Sequence, residues 1–542
     1  DYTPDGQVDF EKFYATNTVG GLFGPPIDPT YSDSLLKSSR ILRKSFNNHQ
    51  WFGILSTFRY EHSEAWSFSG GVDFRTYRGE HYAEVYDLLG GDYFVDAFNK
   101  NAASKMRQTG DKIGFHNDAL VRWGGFFGLA EYKGLLYNWF FNVSGVYQGY
   151  KSIDFFAPLD VVIGTERWRE QLSYGEAFVR NDITGETQVV QNDEVQVQGE
   201  GAVVEGETLE QATVIRHGES GTENNNSGWK WLPGFTLKTG GNYNLTEYTN
   251  AFVNLGYLSR TPVFRNVVDF SNELASNIVN EVILSTEVGY SYSRYPFSAN
   301  VNAYYTDWNN RPLQSLLRFE TVEGDLVFAN INSMSARHMG WEVDGAWELN
   351  RSFTLEGYIS LGDWRWTSSE DSLVLLDDRT GQPYLDQLGQ PAMVTYDATG
   401  VRVGDAPQHQ YSLSLKYSYK DFYIRPRYTL FDRYFADFDP FSLNGANAGR
   451  QSWQLPTYGI LDIHAGYNVD FGETNWDIRL SLFNVLNTIY INNAQNNDAF
   501  GQYYFTDSDR RYAFATNNFD AASSSVYMGP GFQSNFSLRV RF

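Results

Sequence analysis

The chain has 542 residues, a formal net charge of −23, no cysteine, and 17% aromatic residues, with 37 Tyr, 40 Phe and 14 Trp. The acidic balance excludes nucleic acid as a partner, because phosphate backbones require a basic footprint. The missing thiols exclude disulfide frameworks, zinc–thiolate sites and cysteine nucleophiles.

Mean hydropathy is nonetheless −0.43, an unusual pairing with so many rings, since aromatics and aliphatics normally fill the same core. No stretch approaches the ~18 consecutive apolar residues of a membrane-spanning helix. The N-terminus, "DYTPDGQVDF", carries no basic-then-apolar leader and reads as a mature or truncated start.

In chain order, residues 1–49 lack sustained alternation, carry charged runs and contain the successive prolines Pro25 and Pro26, so they read as a loop. From there period-2 alternation recurs almost to the end. Strands are expected to begin near residues 50, 66, 118, 135, 230, 248, 285, 297, 338, 353, 410, 421, 457, 475 and 534. In "YSLSLKYSY", Tyr411, Leu413, Leu415, Tyr417 and Tyr419 face one side and Ser412, Ser414, Lys416 and Ser418 the other. The acid-dense stretch 192–211 reads as a solvated mobile loop. Pro426 interrupts "FYIRPRYTL", and a bulge is expected there.

The connections alternate strictly. Short turns at 61–65, 132–134, 244–247, 293–296, 349–352, 419–421 and 470–474 are separated by long polar segments at 79–117, 152–227, 264–282, 309–337, 367–408, 434–456 and 487–533. This is the pattern of a transmembrane antiparallel β-barrel, with periplasmic turns on one rim and extracellular loops on the other. Closure follows because backbone N–H and C=O groups cannot stay unpaired in hydrocarbon. Residues 1–49 are then an extracellular segment and 50–542 the transmembrane part. Trp51, Trp66, Trp341, Trp347, Tyr411, Tyr419, Tyr467 and Trp476 are expected on the apolar face as interfacial belts.

An odd count, about fifteen, cannot close in a bacterial single-chain barrel. The expectation is that these strands are the C-terminal part of a larger barrel. The inward, polar positions supply acid at Glu342, Asp344, Glu356, Asp462 and Asp477 and base at Arg425, Arg427, Arg479, Arg539 and Arg541. They are read as a wall that grips a plug, or as simple lumen solvation with cross-strand ion pairs.

The segments "NNHQWFGILSTFRYE", "FSGGVDFRTYRGEHYAEVYDLLGGDYF", "HNDALVRWGGFFGLAEYK", "VGDAPQHQYSLSLKY", "FADFDP" and "FNVLNTIYI", with the terminal "FSLRVRF", resemble the C-terminal barrel of TonB-dependent outer-membrane receptors. They resemble most the branch with an N-terminal carboxypeptidase-regulatory-like domain. The resemblance runs from about residue 45 to the end. It implies a 22-stranded barrel in the outer membrane of a Gram-negative bacterium, a plug domain missing from this chain, and import energised by the TonB complex through a short TonB box. The alternation of Phe536, Leu538, Val540 and Phe542 at the C-terminus resembles the signal read by the barrel assembly machinery.

No catalytic set is legible: there is neither a G-x-S-x-G elbow nor an H-E-x-x-H pair. No cofactor is expected. Glu80, His81 and Glu84 form the nearest approach to a metal motif, and Asp437, Asp439 and Asn444 or Asp377, Asp378 and Asp386 to calcium loops. All read better as ordinary polar loops, none having EF-hand spacing. Ligand contacts are sought among the loop aromatics Tyr82, Tyr93, Trp364, Trp366 and Phe435, with Tyr86, Phe94 and Phe438 beside them; these rings equally suit a belt or a loop core. The function expected is import of a scarce nutrient such as a ferric siderophore. The alternatives are a plugless passive porin or structural scaffold, and the barrel of a surface glycan or peptide uptake complex lidded by a lipoprotein. Outer-membrane lipids are partners in every case.

Overall fold

A computed structural model of the chain describes residues 2–20, 26–198, 201–204, 207–208, 212–268, 272, 274–275, 278–311, 317–320, 326–329, 334–377, 382–386, 388–438, 440–443, 445–496, 503–506, 511–514 and 521–542. The architecture is all-β. Among the described residues fifteen long strands form one sheet: β1 Leu42–Glu61, β2 Trp66–Asp87, β3 Lys112–Lys133, β4 Tyr137–Asp154, β5 Lys230–Thr246, β6 Thr249–Arg260, β7 Glu281–Arg294, β8 Phe297–Arg311, β9 Met334–Glu348, β10 Phe353–Trp366, β11 His409–Tyr419, β12 Phe422–Asp432, β13 Tyr458–Phe471, β14 Thr474–Phe483 and β15 Gln533–Arg541. Each pairs antiparallel with its sequence neighbours, and Asn225–Asn226 adds a short pairing to β4.

The sheet is open. Among the described residues, nothing pairs with the outer edge of β1 or of β15. The first strand begins at Leu42 rather than near residue 50, so 42–49 belong to the wall and not to the preceding segment.

Residues before it are not plain loop. Phe10–Thr18 form a helix, α1, capped by Asp9, whose carboxylate accepts from the Lys12 amide at 2.9 Å. The buried Asn17 ties α1 to the rim: its Nδ2 donates to the carbonyls of Arg40, Leu88 and Leu89, and its Oδ1 accepts from the amides of Ser39 and Arg40.

Because side chains alternate across a strand, register decides the face. Ser67 lies opposite Glu131, Glu131 opposite Phe140, Phe140 opposite Gly240, Gly240 opposite Asn254, and Asn254 opposite Glu287. The same face continues through Tyr304, Gly340 and Gly362 on β8–β10 and ends on Arg539 and Arg541. One face is therefore predominantly polar across all fifteen strands. The other presents Phe52, Ile54, Phe58, Phe74, Trp341, Ile359, Leu413, Phe536 and Leu538 to the surroundings, all strongly exposed.

Two expectations need correction. Trp51 lies opposite Tyr77 and so stands on the polar face, not in an apolar belt. Apolar residues at consecutive positions, Trp51–Phe52 and Ile54–Leu55, left the alternation ambiguous. Pro426 makes no bulge: β11 and β12 keep one register on either side of it, and it sits opposite Ile463 on β13. The pairs recorded on the β11 side pass from Ser414–Arg427 to Tyr417–Ile424, so the ladder skips the proline without shifting.

The buried clusters lie on the long-loop side rather than beneath the sheet. The largest joins Val327, Met334, Trp366, Leu375, Val394, Tyr396, Val401, Phe438 and Leu443; another joins Val161, Leu172, Phe178 and Ile215. The segment expected as a mobile loop contains a 3-10 turn at Asn192–Glu194 and short strands Gln196–Gln198, Gly201–Val204 and Glu207–Thr208.

Candidate functional site

The polar face carries two aromatic patches, one at mid-length of its strands and one toward their loop-side ends. The first stands on β1–β3. Arg75, held by Asp73 at 2.9 Å, places its guanidinium 5.6 Å from the Trp51 ring and 5.4 Å from Trp123. The two indoles meet edge to face at 5.9 Å. Tyr77 adds a ring 6.5 Å from Trp51, and its hydroxyl is 2.7 Å from His49 Nδ1. Trp51 is 63% exposed, so the patch is a surface and not a core. A guanidinium lying against two indole rings offers planar groups a stacking surface and fixed N–H donors.

The second patch stands on β8–β10. Trp364 Nε1 donates to the Tyr304 hydroxyl at 2.9 Å, with His338 5.7 Å from the Trp364 ring and Trp308 6.3 Å from His338. Glycines make room: a Cβ at Gly340 would lie 2.5 Å from the Tyr304 hydroxyl, and one at Gly362 2.8 Å from Trp364 Nε1.

Of the rings singled out from the sequence, Trp364 alone belongs to these patches. Tyr82 points to the opposite face, stacked on Phe46 at 4.7 Å with Lys112 Nζ 4.0 Å above it. Tyr93, Trp366 and Phe435 are 1%, 4% and 6% exposed, so they hold loops together and leave no ring face for a ligand. The first patch escaped sequence reasoning because Trp51 was assigned to the wrong face; the signal available was Asp73 and Arg75 alternating with Val72 and Phe74.

The charged residues of the wall share the polar face and pair across it. Glu342 lies opposite Ser360, whose hydroxyl donates to its Oε1 at 3.4 Å, and Asp344 accepts from Asn300 Nδ2 at 2.9 Å. Glu356 accepts from Ser414 at 3.0 Å and meets Arg425 at 3.6 Å. Arg427 meets Asp462 at 3.0 Å, and Asp462 also accepts the Asn484 amide at 3.1 Å. Arg479 forks onto Asp477, which lies opposite Arg539, while Arg541 lies opposite Asn475. On the other face Phe536, Leu538 and Val540 oppose Leu480, Ile478 and Trp476, and Phe542 is fully exposed.

Among the described residues no group of three metal-ligating side chains converges. Glu80 and His81 point to opposite faces; Glu80 is taken by Lys112 and His116, and Glu84 meets Lys44 at 3.5 Å. Asp386 caps its own turn, accepting from the amides of Leu388 and Gln390. Asp378, Asp439 and Asn444 lie outside the described residues.

Comparison with known proteins agrees with this arrangement. No curated protein matches the chain. Among solved structures, the ferric citrate transporter FecA in its unliganded form superposes with a TM-score of 0.50 at 10% identity, over 94% of this chain and 57% of that one. The copper transporter OprC gives 0.48 at 11% identity over 92% and 57%, and the ferric yersiniabactin uptake receptor FyuA from Yersinia pestis gives 0.47 at 10% over 92% and 55%. The chain thus spans somewhat more than half the length of each, and at such identity the likeness shows the fold alone. The family described as TonB dependent receptor-like, beta-barrel matches residues 1–488, starting well before the position near residue 45 where the motifs begin. With nearly the whole chain matched, it belongs to the TonB-dependent receptor family, as its β-barrel.

Proposed function

We propose that the chain is the barrel wall of an outer-membrane receptor that captures a scarce nutrient and imports it with energy from the TonB complex. The observation that carries this reading is the Trp51–Arg75–Trp123 patch. It sets a half-exposed guanidinium against two indoles on the polar face at mid-length of the strands, where a planar anionic chelate such as a ferric siderophore would dock. In this reading the apolar face meets lipid, the long loops face outward and the short turns face the periplasm. The unbroken polar face, from Ser67 to Arg541, lines a lumen. Glu342, Asp344, Glu356, Arg425, Arg427, Asp462, Asp477, Arg479, Arg539 and Arg541 then form a hydrogen-bonding wall against a plug, with further strands completing the ring along the open edges of β1 and β15. Phe536, Leu538, Val540 and Phe542 are the strand handed to the barrel assembly machinery. The branch with a carboxypeptidase-regulatory-like domain rests on the sequence resemblance alone.

The test is uptake of labelled ferric chelates by cells that express the whole native protein in place of their own receptors, with and without a working TonB complex. Import should need TonB, and Arg75→Ala or Trp123→Ala should lower it about tenfold while surface expression is unchanged. Free ion conductance without TonB would make the barrel a passive porin. TonB-dependent uptake of an oligosaccharide or peptide that also needs a co-expressed surface lipoprotein would favour the lidded uptake complex instead.

A further inference from the structure

The apolar face also carries a pocket. Across β8–β11 apolar side chains on this face give way to charged ones toward the loops: Tyr305 lies opposite Met339 and Met339 opposite Asp363, while Trp341 lies opposite Leu361 and Leu361 opposite His409. A cavity of 570 Å³ straddles this transition. Its lower wall is Tyr305, Trp341 and Leu361; its upper wall is Asp363, Arg402 and Arg433.

The upper wall is cationic in a chain whose net charge is −23. Asp363 is shared between Arg365, at 2.9 Å, and Arg402, which also donates to Gln408 Oε1 at 3.2 Å. Arg433 makes no ion pair among the described residues, and its neighbour Asp432 is engaged by Thr457 at 2.6 Å. Asp363 is thus already shared by two guanidinium groups and Asp432 lies 4.0 Å from His409, which leaves Arg433 without a carboxylate partner among the described residues at this mouth. Guanidinium forks match phosphate oxygens, and desolvation at the edge of an apolar surface strengthens that match.

We infer that this pocket holds an anionic lipid, its phosphate headgroup on Arg402 and Arg433 and its acyl chains along Tyr305, Trp341 and Leu361. A free soluble anion would use the arginines but not the apolar floor. A neutral lipid would use the floor and leave Arg433 unmatched. The inference rests on the membrane placement proposed above, but not on what the receptor imports.

The experiment is native mass spectrometry and fluorescence titration of the whole detergent-solubilised protein with phosphatidic acid, phosphatidylcholine and inorganic phosphate. Phosphatidic acid should be retained as a bound adduct and outcompete phosphatidylcholine at least tenfold. Arg433→Gln should cut that preference about tenfold, as should Arg402→Gln. Arg351→Gln, on the short turn at the opposite ends of β9 and β10 from the pocket, should leave it intact. Arg402→Gln removes a contact to Asp363 and can disturb the fold, so Arg433→Gln, which breaks no ion pair, decides the matter. Equal binding of both lipids, unchanged preference in Arg433→Gln, or inorganic phosphate binding as tightly as the lipid would each overturn the assignment. A protein that fails to insert into vesicles at all would refute the membrane placement instead.

Discussion

Asp437 offers the sharpest quantitative test, because its carboxyl is closed into the loop layer away from the wall. Its amide donates to the Ala494 carbonyl at 2.8 Å, and next to it the Tyr434 hydroxyl donates to the carbonyls of Asn492 and Asp405. Burial pushes the Asp437 carboxyl up to about 6, with the Asp405 carboxylate adding to the rise and the Phe438 amide and Arg311 opposing it. The folded state thus holds this proton more tightly than the unfolded state, where the value is 3.8. Stability from this group is full below pH 3.8 and is lost as pH rises through about 6. The gap corresponds to about 3 kcal/mol, at about 1.4 kcal/mol for each tenfold change. Some of the side chain still reaches water, so this is a ceiling. Hydrogen exchange of amides 434–438 and 490–495, corrected for intrinsic rates, should show the opening free energy falling between pH 4 and 8. Asp437→Asn should abolish that slope, matching the wild type near pH 4 and exceeding it at pH 8. A slope that survives in Asp437→Asn, or greater wild-type protection at pH 8, would refute the reasoning.

Asn17→Ala should strip five backbone partners from a buried site and cost about 2–4 kcal/mol locally. Exchange protection across Phe10–Thr18 should collapse while that of the long strands stays unchanged. Asp462→Ala should destabilise the protein by about 2–3 kcal/mol in thermal melts, because it orphans both Arg427 and the Asn484 amide. Asp477→Ala, whose partner Arg479 is well exposed, should shift the melt little. Gly362→Ala should displace Trp364 from Tyr304, and near-ultraviolet circular dichroism should then resemble that of Trp364→Phe.

The wall was legible because its physics is repetitive. Alternation in "YSLSLKYSY" or "NWDIRLSL" sets both the strand and its face, and the short turns between them sit where the hairpins form, as at 62–65 between β1 and β2 and 472–473 between β13 and β14. The loop side was not legible, for a physical reason as well. Its short strands, such as Ser369–Val374 against Met393–Asp397, are paired by contacts between distant segments rather than by any local period. The helix Phe10–Thr18 is marginal on its own and is fixed by Asn17 reaching chain more than seventy residues away. Tyr93, Trp366 and Phe435 carried the aromatic signal of a ligand site, but tertiary packing spent them on loop cores. Trp51 was misplaced because a single step of register moves a ring through the sheet.

The placement of the buried clusters divides the molecule between two solvents. With the wall set in a bilayer as proposed above, ladder bonds and surrounding hydrocarbon hold it, and its large apolar side chains look outward for their packing. On the water side, the loops carry small hydrophobic interiors of their own, such as that around Trp366 and Phe438. Chemical denaturant is expected to act on the second more readily than on the first. The capping layer is therefore expected to unfold as a separate thermodynamic unit, one that can melt or be redesigned while the wall beneath it keeps its register.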